Sequence, residues 1–403
     1  MSCSLADACA AVDSAADHTF YVSLGASGAS AALESAIAAA FVRRGWIASS
    51  ASAARCVWLP ASRHDWDAAL ESGAVTAAYP IRTALVRKDA LIATARRARV
   101  CTPASVVVTR YDEADARAAA LAHSGSGPWL VKEPMVNNAL GLHFARTRTE
   151  LDVAITASLA TARTAVVQEL VEDMALVRGA KWHARVNVIA VGSCAVYVHK
   201  HVVAHIATEP FARGEDPTAR PAAHITNNVV QRRFPAYERE QHTVGLDEFL
   251  GAADVARLVS SFNSVVRAIF DAALAGKRLQ WEPLEPVALP PPHARSSDGS
   301  DGSDSDSRMA FLPLPQSFEL FGFDFLVSHA GAPILLEING GPALEGGAWP
   351  ELCVRVADES VGLIVENLRP RVRREGGNDE VLLPCAWDAP PVPAEGSGWV
   401  RVR

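Results

Sequence analysis

Two acidic residues stand where apolar strands ought to run without interruption. "FELFGFDFLV" (318–327) and "APILLEIN" (332–339) read as β-strands joined by a short turn around Ala330-Gly331, and each carries one carboxylate, Asp324 and Glu337. A two- or four-residue loop centred on that turn sets Asp324 directly opposite Glu337. Like charges facing each other across a ladder destabilise it, and a buried carboxylate without a partner is costly in itself. A cation between the two removes both penalties. Asn339 lies two residues beyond Glu337, on the same strand face, and adds a neutral oxygen. Two carboxylates and an amide oxygen leave several octahedral positions open, which is how Mg²⁺ is held when phosphates and water complete its shell. The competing reading is a register slip, with one carboxylate protonated or capping a loop.

Cationic residues recur upstream. Lys132 ends the apolar strand "PWLVKEP" (128–134), a position from which an ammonium reaches phosphate oxygens as a point charge. Gly141 in the following "NNALGL" permits close backbone approach to a phosphate. In "KWHARV" the residues Lys181, His183 and Arg185 alternate with Trp182, Ala184 and Val186, giving one cationic and one apolar face. A half-exposed antiparallel strand gives the same pattern. Gln168 and Glu169 sit inside the buried-looking "VVQELV" and need hydrogen-bond partners. An adenine edge, with main-chain groups near Leu170, would supply them; a sheet edge facing water is the alternative. His199, His201 and His205 fit polar sheet-face residues better than a zinc site.

The elements that must position these groups are legible in outline. Residues 1–17 are expected to be flexible. An N-terminal α/β lobe (18–86) contains "TFYVSL" and "RCVWLP" as strands around an alanine-rich helix from about Ser30 to Arg43. A central lobe (87–170) opens with the helical "RKDALIATARRA", whose Arg87 and Lys88 begin a basic face, and continues with strands "SVVVTR", "PWLVKEP" and "AVVQELV". A larger C-terminal lobe (171–368) holds "KWHARVNVIAV", "SCAVYVHKHVVAHI", a helix over about 247–275 and the acidic hairpin. Within it, "RSSDGSDGSDSDS" (295–307) is low-complexity sequence that cannot bury enough apolar surface to order itself. Residues 369–403, rich in Pro, Gly and charge, read as a tail. "GASGAS" lacks the spacing of a dinucleotide fingerprint.

Composition narrows the function classes. At 403 residues the chain exceeds a single core and divides into lobes. Its 38 basic and 45 acidic residues give a net charge of −7 with no basic stripe, so nucleic acid is not an expected partner. The 7 cysteines are scattered and form no CxxC pair, which suits a reducing, cytoplasmic setting and argues against a thiolate zinc site. No stretch is expected to cross a membrane, and the N-terminus lacks the basic residues of a targeting signal.

The order "WLVK", "VVQELV", "KWHARVNVI", "ATEPF", "HITNNVVQ", "FELFGFDFLV", "LLEINGGPAL" and "ELC" resembles the tubulin–tyrosine ligase family, whose members have an ATP-grasp fold. The resemblance runs from about Thr83 to Asn367 and rests chiefly on the HxTN block and the FGxDF…LxEIN hairpin. It implies an ATP-dependent ligase that joins an amino acid to a protein, such as tubulin, through an acyl phosphate, with ATP and Mg²⁺ as cofactors. It implies Lys88 near the active site, Lys132, Lys181 and Asn227 near the nucleotide's phosphates, and Gln168, Glu169 and Leu170 around adenine, while the glycine loop with Gly141 departs from the family's. Arg185 would lie beside the reacting groups, with Asp324, Glu337 and Asn339 as magnesium ligands. The chain departs from the pattern of tubulin–tyrosine ligase at two substrate-facing positions: His183 replaces an Asp, and His205 replaces an Arg. An ATP-grasp enzyme acting on a small molecule or peptide, and a binding protein without catalysis, are the alternatives.

Overall fold

The computed structural model describes residues 18–25, 28–111, 122, 127–136, 141–276, 310–342, 350–366, 368, 387 and 389–403. The expected flexible N-terminus and the acidic insert 295–307 lie outside them. The N-terminal lobe is built from β1 (Thr19–Val22), α1 (Gly28–Arg43), β2 (Ile47–Ala48), β3 (Cys56–Trp58), α2 (Trp66–Ser72) and β4 (Val75–Thr76). Its four strands are parallel, in the order β2-β1-β3-β4. Local chemistry sets α2: Asp65 accepts from the Ala68 N–H at its start, and Gly73, at φ 62°, closes its end. Two short helices follow, α3 (Thr83–Val86) and α4 (Lys88–Ala98).

The central lobe comprises β5 (Ser105–Thr109), β6 (Trp129–Lys132), β7 (Leu142–Ala145), α5 (Arg148–Thr161) and β8 (Thr164–Glu169), an antiparallel sheet ordered β5-β8-β6-β7. Strand alternation splits its residues cleanly. Val106, Val108, Trp129, Val131 and Val167 pack beneath Leu151 and Ile155 of α5, while Leu130, Lys132, Leu142, Phe144 and Gln168 point the other way, into a cleft.

Across that cleft stands a seven-stranded sheet made by β9 (Ala180–Val191), β10 (Ala195–His199), β11 (Val203–Pro210), β12 (Thr243–Gly245), β13 (Phe318–Val327), β14 (Pro333–Gly340) and β15 (Trp399–Arg401). Between these strands lie α6 (Pro221–His224), α7 (Asn228–Gln231), α8 (Arg239–His242), α9 (Ala252–Ala275) and α10 (Pro350–Val365). One face, with Trp182, Val186, Phe321, Phe323 and Phe325, packs on Phe262, Val266 and Phe270 of α9. The other face changes character along its length. Beyond the cleft it turns apolar, and Ile189, Val191, Phe318 and Leu320 join Phe20 and Phe41 of the N-terminal lobe and Val356 of α10 in a second core.

Three expectations change. The helix α4, placed by sequence in the central lobe, buries Leu91 and Ala95 in the core of the large sheet. The central core itself begins at Val106. The expected tail ends in β15, which pairs with β10 and buries Trp399. Glu359 of α10 secures this strand, accepting from the Gly398 N–H at 2.7 Å and standing 3.1 Å from His199 Nε2. Finally, α9 is long and apolar enough by length and composition to cross a membrane, although its buried stripe is core in this fold.

Candidate active site

Three adjacent strands place the acidic pair. In the ladder Arg185 (β9) pairs with Asp324 (β13), which pairs with Glu337 (β14); one row along stand Asn187, Gly322 and Asn339. The predicted opposition of Asp324 and Glu337 holds, by a different route. The turn occupies residues 328–332, because Val327 pairs with Pro333. That odd loop alone would put Asp324 opposite Leu336. The register shifts by one between Asp324 and Phe325, leaving Leu336 as a bulged residue. The bulge restores the carboxylate pair and turns Leu336 into the cleft.

The carboxylates are neutralised by the chain's own cations. Arg185 grips Asp324 with two bonds, from Nε to Oδ1 and from Nη2 to Oδ2 at 3.0 Å. Lys88 Nζ stands 3.5 Å from Glu337 Oε2 and also donates to the Val136 carbonyl at 2.9 Å. Burial pushes the Glu337 carboxyl up, but Lys88, Lys132, the Asn339 amide and Arg185 outweigh it and hold its pKa at about 2. Gly322 makes the Arg185 contact possible. A Cβ there would lie 2.9 Å from Arg185 Cδ and 2.9 Å from Pro342 Cβ. The guanidinium stem therefore crosses β13 where there is no side chain.

A fit to Mg²⁺ rests on convergence. Asn339 Nδ2 lies 3.1 Å from Asp324 Oδ2 and 3.3 Å from Glu337 Oε1, so both carboxylates and the amide meet at one point. These are hard oxygen donors, the type Mg²⁺ selects. Which end of the amide faces the acids follows from hydrogen bonding; a half-turn about the Cβ–Cγ bond presents its oxygen instead. Among the described residues no group of three or more His, Cys, Asp or Glu could hold a metal, so any ion here relies on two carboxylates and the amide.

Two deeply buried lysines border the acids, one from each sheet. Lys132 lies on β6 and Lys181 on β9, and burial lowers the pKa of each to about 8, the Lys181 value being lowered further by Lys132. Gly141, at φ 61°, meets Glu133 closely, since a Cβ there would come within 2.9 Å of Glu133 Oε1. Asn227 begins α7, its side chain accepting from the Val229 N–H at 2.8 Å. Glu169 and Leu170 line the cleft with Val171. Gln168 lines the cleft beside Glu169 and Leu170, its Oε1 accepting from Lys132 Nζ and its Nε2 donating to Ser105 Oγ.

The histidines divide. His183 lines the cleft, its Nδ1 lying 2.6 Å from Thr226 Oγ1 and its Nε2 3.9 Å from Asp324 Oδ1. His205 pairs with His183 across the ladder but is 2% exposed and lies behind it, bonded to Asn228 at 2.9 Å. It was expected to face substrate and instead supports His183. Burial lowers the pKa of both rings; at His183 it outweighs the upward pull of Asp324, while at His205 the His183 and Arg185 charges lower it further.

The cleft encloses roughly 1000 Å³ of open space between the two antiparallel sheets. Sequence reasoning did not single out several of its residues. Leu130, Leu142, Phe144, Leu326 and Leu336 make an apolar floor and roof, visible in sequence only as ordinary strand residues. His224 is 3% exposed, and neither ring nitrogen has a partner among the described residues. It and Thr226 belong to the "HITNN" block, which pointed to Asn227 alone.

The sequence model of the tubulin-tyrosine ligase family matches residues 70–263 and 294–366. The tubulin monoglycylase TTLL3 of Danio rerio is 23% identical over 230 residues, 56% of this chain and 27% of that protein, so the match spans about a quarter of that relative. The C-terminal domain of K. lactis Pby1 is described as an ATP-grasp enzyme interacting with the mRNA decapping enzyme Dcp2. It superposes with a TM-score of 0.61 at 19% identity, covering 96% of this chain and 98% of that one. A likeness at that identity speaks for the fold alone.

Proposed function

The chain belongs to the tubulin–tyrosine ligase family, and from that premise we propose that it is an ATP-dependent carboxylate–amine ligase that adds an amino acid to a protein, tubulin being one candidate acceptor. The observation that carries this reading is the convergence of Asp324, Glu337 and Asn339 in one cleft with Lys132 of the facing sheet and Lys181 of β9. The apolar surfaces of Leu130, Phe144, Leu326 and Leu336 suit a purine, with the main chain of Glu169 to Val171 along its edge. Lys132, Lys181 and Lys88 suit the phosphates.

In the proposed reaction a substrate carboxylate oxygen attacks the γ-phosphorus. The bond to the β–γ bridging oxygen breaks, and ADP leaves with its electron pair. The amine then attacks the acyl carbon, phosphate departs with the bonding pair, and the nitrogen gives up a proton. Catalysis of this kind is chiefly positioning and charge neutralisation. Magnesium held by Asp324, Glu337 and Asn339 would supply neutralisation of phosphate oxygens. Arg185, held on Asp324 through Nε and Nη2, would place its charge beside the reacting carboxylate and phosphoryl groups. His183 stands beside it, held by Thr226.

A second reading, a small-molecule or peptide acceptor, is favoured by His205. Its ring is buried and bonded to Asn228, so β11 sends no cation into the cleft. The two are separated by incubating the protein with Mg²⁺, ATP and labelled tyrosine, glutamate or glycine, with and without tubulin. Label in tubulin supports the first; ATP turnover driven by a free amino acid or peptide alone supports the second. In either case Glu337→Gln should lose Mg²⁺·ATP turnover while staying folded. Unchanged turnover in that variant removes the metal assignment.

A further inference from the structure

Gln168 and Ser105 stand beside Lys132 on the central sheet, joined to it by a series of buried hydrogen bonds. Ladder register sets Ser105 of β5 opposite Gln168 of β8, and Gln168 opposite Leu130 of β6. Lys132 follows two residues along β6, on the same face. All three polar side chains are buried: Ser105 and Gln168 are 6% exposed and Lys132 9%. Lys132 Nζ donates to Gln168 Oε1 at 2.7 Å. Gln168 Nε2 donates to Ser105 Oγ at 3.0 Å, and Ser105 Oγ donates to the Pro103 carbonyl at 2.7 Å.

Each bond in this series permits one direction. An ammonium has donors and no acceptor, so the amide must turn Oε1 towards it. Nε2 then requires an acceptor. The single hydroxyl proton of Ser105 is used on the Pro103 carbonyl, so its lone pairs are what Nε2 meets. The series ends on main chain at the entry to β5, a point that does not rotate. Without the hydroxyl, the buried amide loses its reason to prefer this orientation. Turned over, it would set an NH₂ group against the ammonium, donor against donor, where nothing in a buried site offsets the loss.

The choice of an amide has its own consequence. A carboxylate at 168 would hold Lys132 equally close but cancel its charge. A neutral oxygen fixes the ammonium and leaves the charge for an incoming anion. From this geometry we infer that Ser105 and Gln168 are positioning residues: through one oriented amide they aim Lys132 at the phosphates of the bound nucleotide. The inference rests on the nucleotide reading of the cleft. Ser105 itself is not among the residues lining the cleft, so its effect passes through Gln168.

The test compares ATP with adenosine, which lacks the phosphates, by calorimetric titration of the wild type, Ser105→Ala, Ser105→Thr, Gln168→Leu and the Ser105→Ala/Gln168→Leu double variant. Ser105→Ala is expected to bind ATP about five- to tenfold more weakly, the scale of one lost hydrogen bond to a charged group's partner. Adenosine affinity should stay within about twofold, and Ser105→Thr, which keeps the hydroxyl, should restore ATP binding. Gln168→Leu should show the same ATP-selective loss, so the inference remains testable if Ser105→Ala does not fold. In the Gln168→Leu background Ser105→Ala should add nothing, since both act on one lysine. Equal weakening of ATP and adenosine, unchanged ATP affinity, or additive effects in the double variant would each overturn the positioning role. A wild type that binds no ATP overturns the nucleotide reading instead.

Discussion

Gly322→Ala is a one-methyl perturbation with a defined target. The added Cβ would lie 2.9 Å from Arg185 Cδ, 2.9 Å from Pro342 Cβ and 3.1 Å from Arg185 Nε. The proline ring is fixed to the hairpin, so the arginine stem is what can yield. Alanine is the better strand residue, worth up to ~1 kcal/mol, while overpacking at such a contact costs ~1–3 kcal/mol. The expected net loss of stability is therefore only ~1–2 kcal/mol, and the fold survives. The site fares worse. Displacing the guanidinium removes both bonds to Asp324 and a preorganised donor at the reacting groups, a loss on the order of 10²–10³ in turnover. ATP affinity should change by less than about threefold, because Lys88, Lys132 and Lys181 are untouched. Stopped-assay Mg²⁺·ATP turnover, nucleotide titration and urea unfolding together read these quantities. The control is Gly322→Ala in an Arg185→Ala background, where the methyl has nothing to strike and should cost no further activity. Full turnover in Gly322→Ala, or an equal further loss in the Arg185→Ala background, would refute the reasoning, the latter by showing that the damage is to the strand.

Three further predictions use other parts of the molecule. Lys132 and Lys181 titrate near pH 8 because burial lowers them, and a bound triphosphate favours their charged forms. ATP binding should therefore take up protons above about pH 8, read by calorimetry in buffers of different ionisation enthalpy, and little below about pH 7. Buffer-independent heats at high pH would contradict it. The same shifts, downward from an unfolded value of ~10.4, mean that the unfolded chain binds more protons between those limits. These two groups should therefore make the ligand-free protein more stable as pH rises through that window. At the far edge of the sheet, Glu359→Ala leaves His199 and the Gly398 N–H without their acceptor. Urea unfolding should show a loss of about 2 kcal/mol, and an unchanged midpoint would mean that β15 is held by other contacts.

How far the sequence discloses this site depends on whether a residue's role follows from its own strand. Period-two alternation put Lys181, His183 and Arg185 on one face, and the ladder keeps them there. The hairpin pairing was legible because two carboxylates opposite each other demand an explanation, yet the bulge at Leu336 left no mark in the apolar "ILLE". The partners of Gln168 were not legible, because a buried amide signals only that partners exist. That they are Lys132 and Ser105 depends on strands far apart in sequence. His205 failed similarly: its type suggested a cleft residue, while its depth is set by Asn228 and the sheet behind. The tail was misread because its many prolines and glycines obscured a three-residue strand and a buried Trp399.

The distribution of ion pairs across the cleft decides what kind of ligand it suits. Both acids have cations in hand: Asp324 has Arg185, and Glu337 has Lys88. Lys132 and Lys181 are buried to 9% and 6% exposure, and neither forms an ion pair among the described residues. Lys132 rests on an amide oxygen, and Lys181 lies 6.0 Å above the Phe211 ring. Neither contact neutralises charge. Burial of an ammonium is costly and lowers both pKa values, a cost that Glu337 and Asp324 offset only in part at Lys132 and Glu172 only in part at Lys181. A cationic ligand would add to the repulsion between them, and a neutral one would leave it unrelieved. An anion entering between the sheets lifts the penalty from both lysines at once, which is why a polyphosphate fits the chain's net charge of −7 without contradiction: the sign that matters is local, and it is set by which buried charges the fold leaves unpaired.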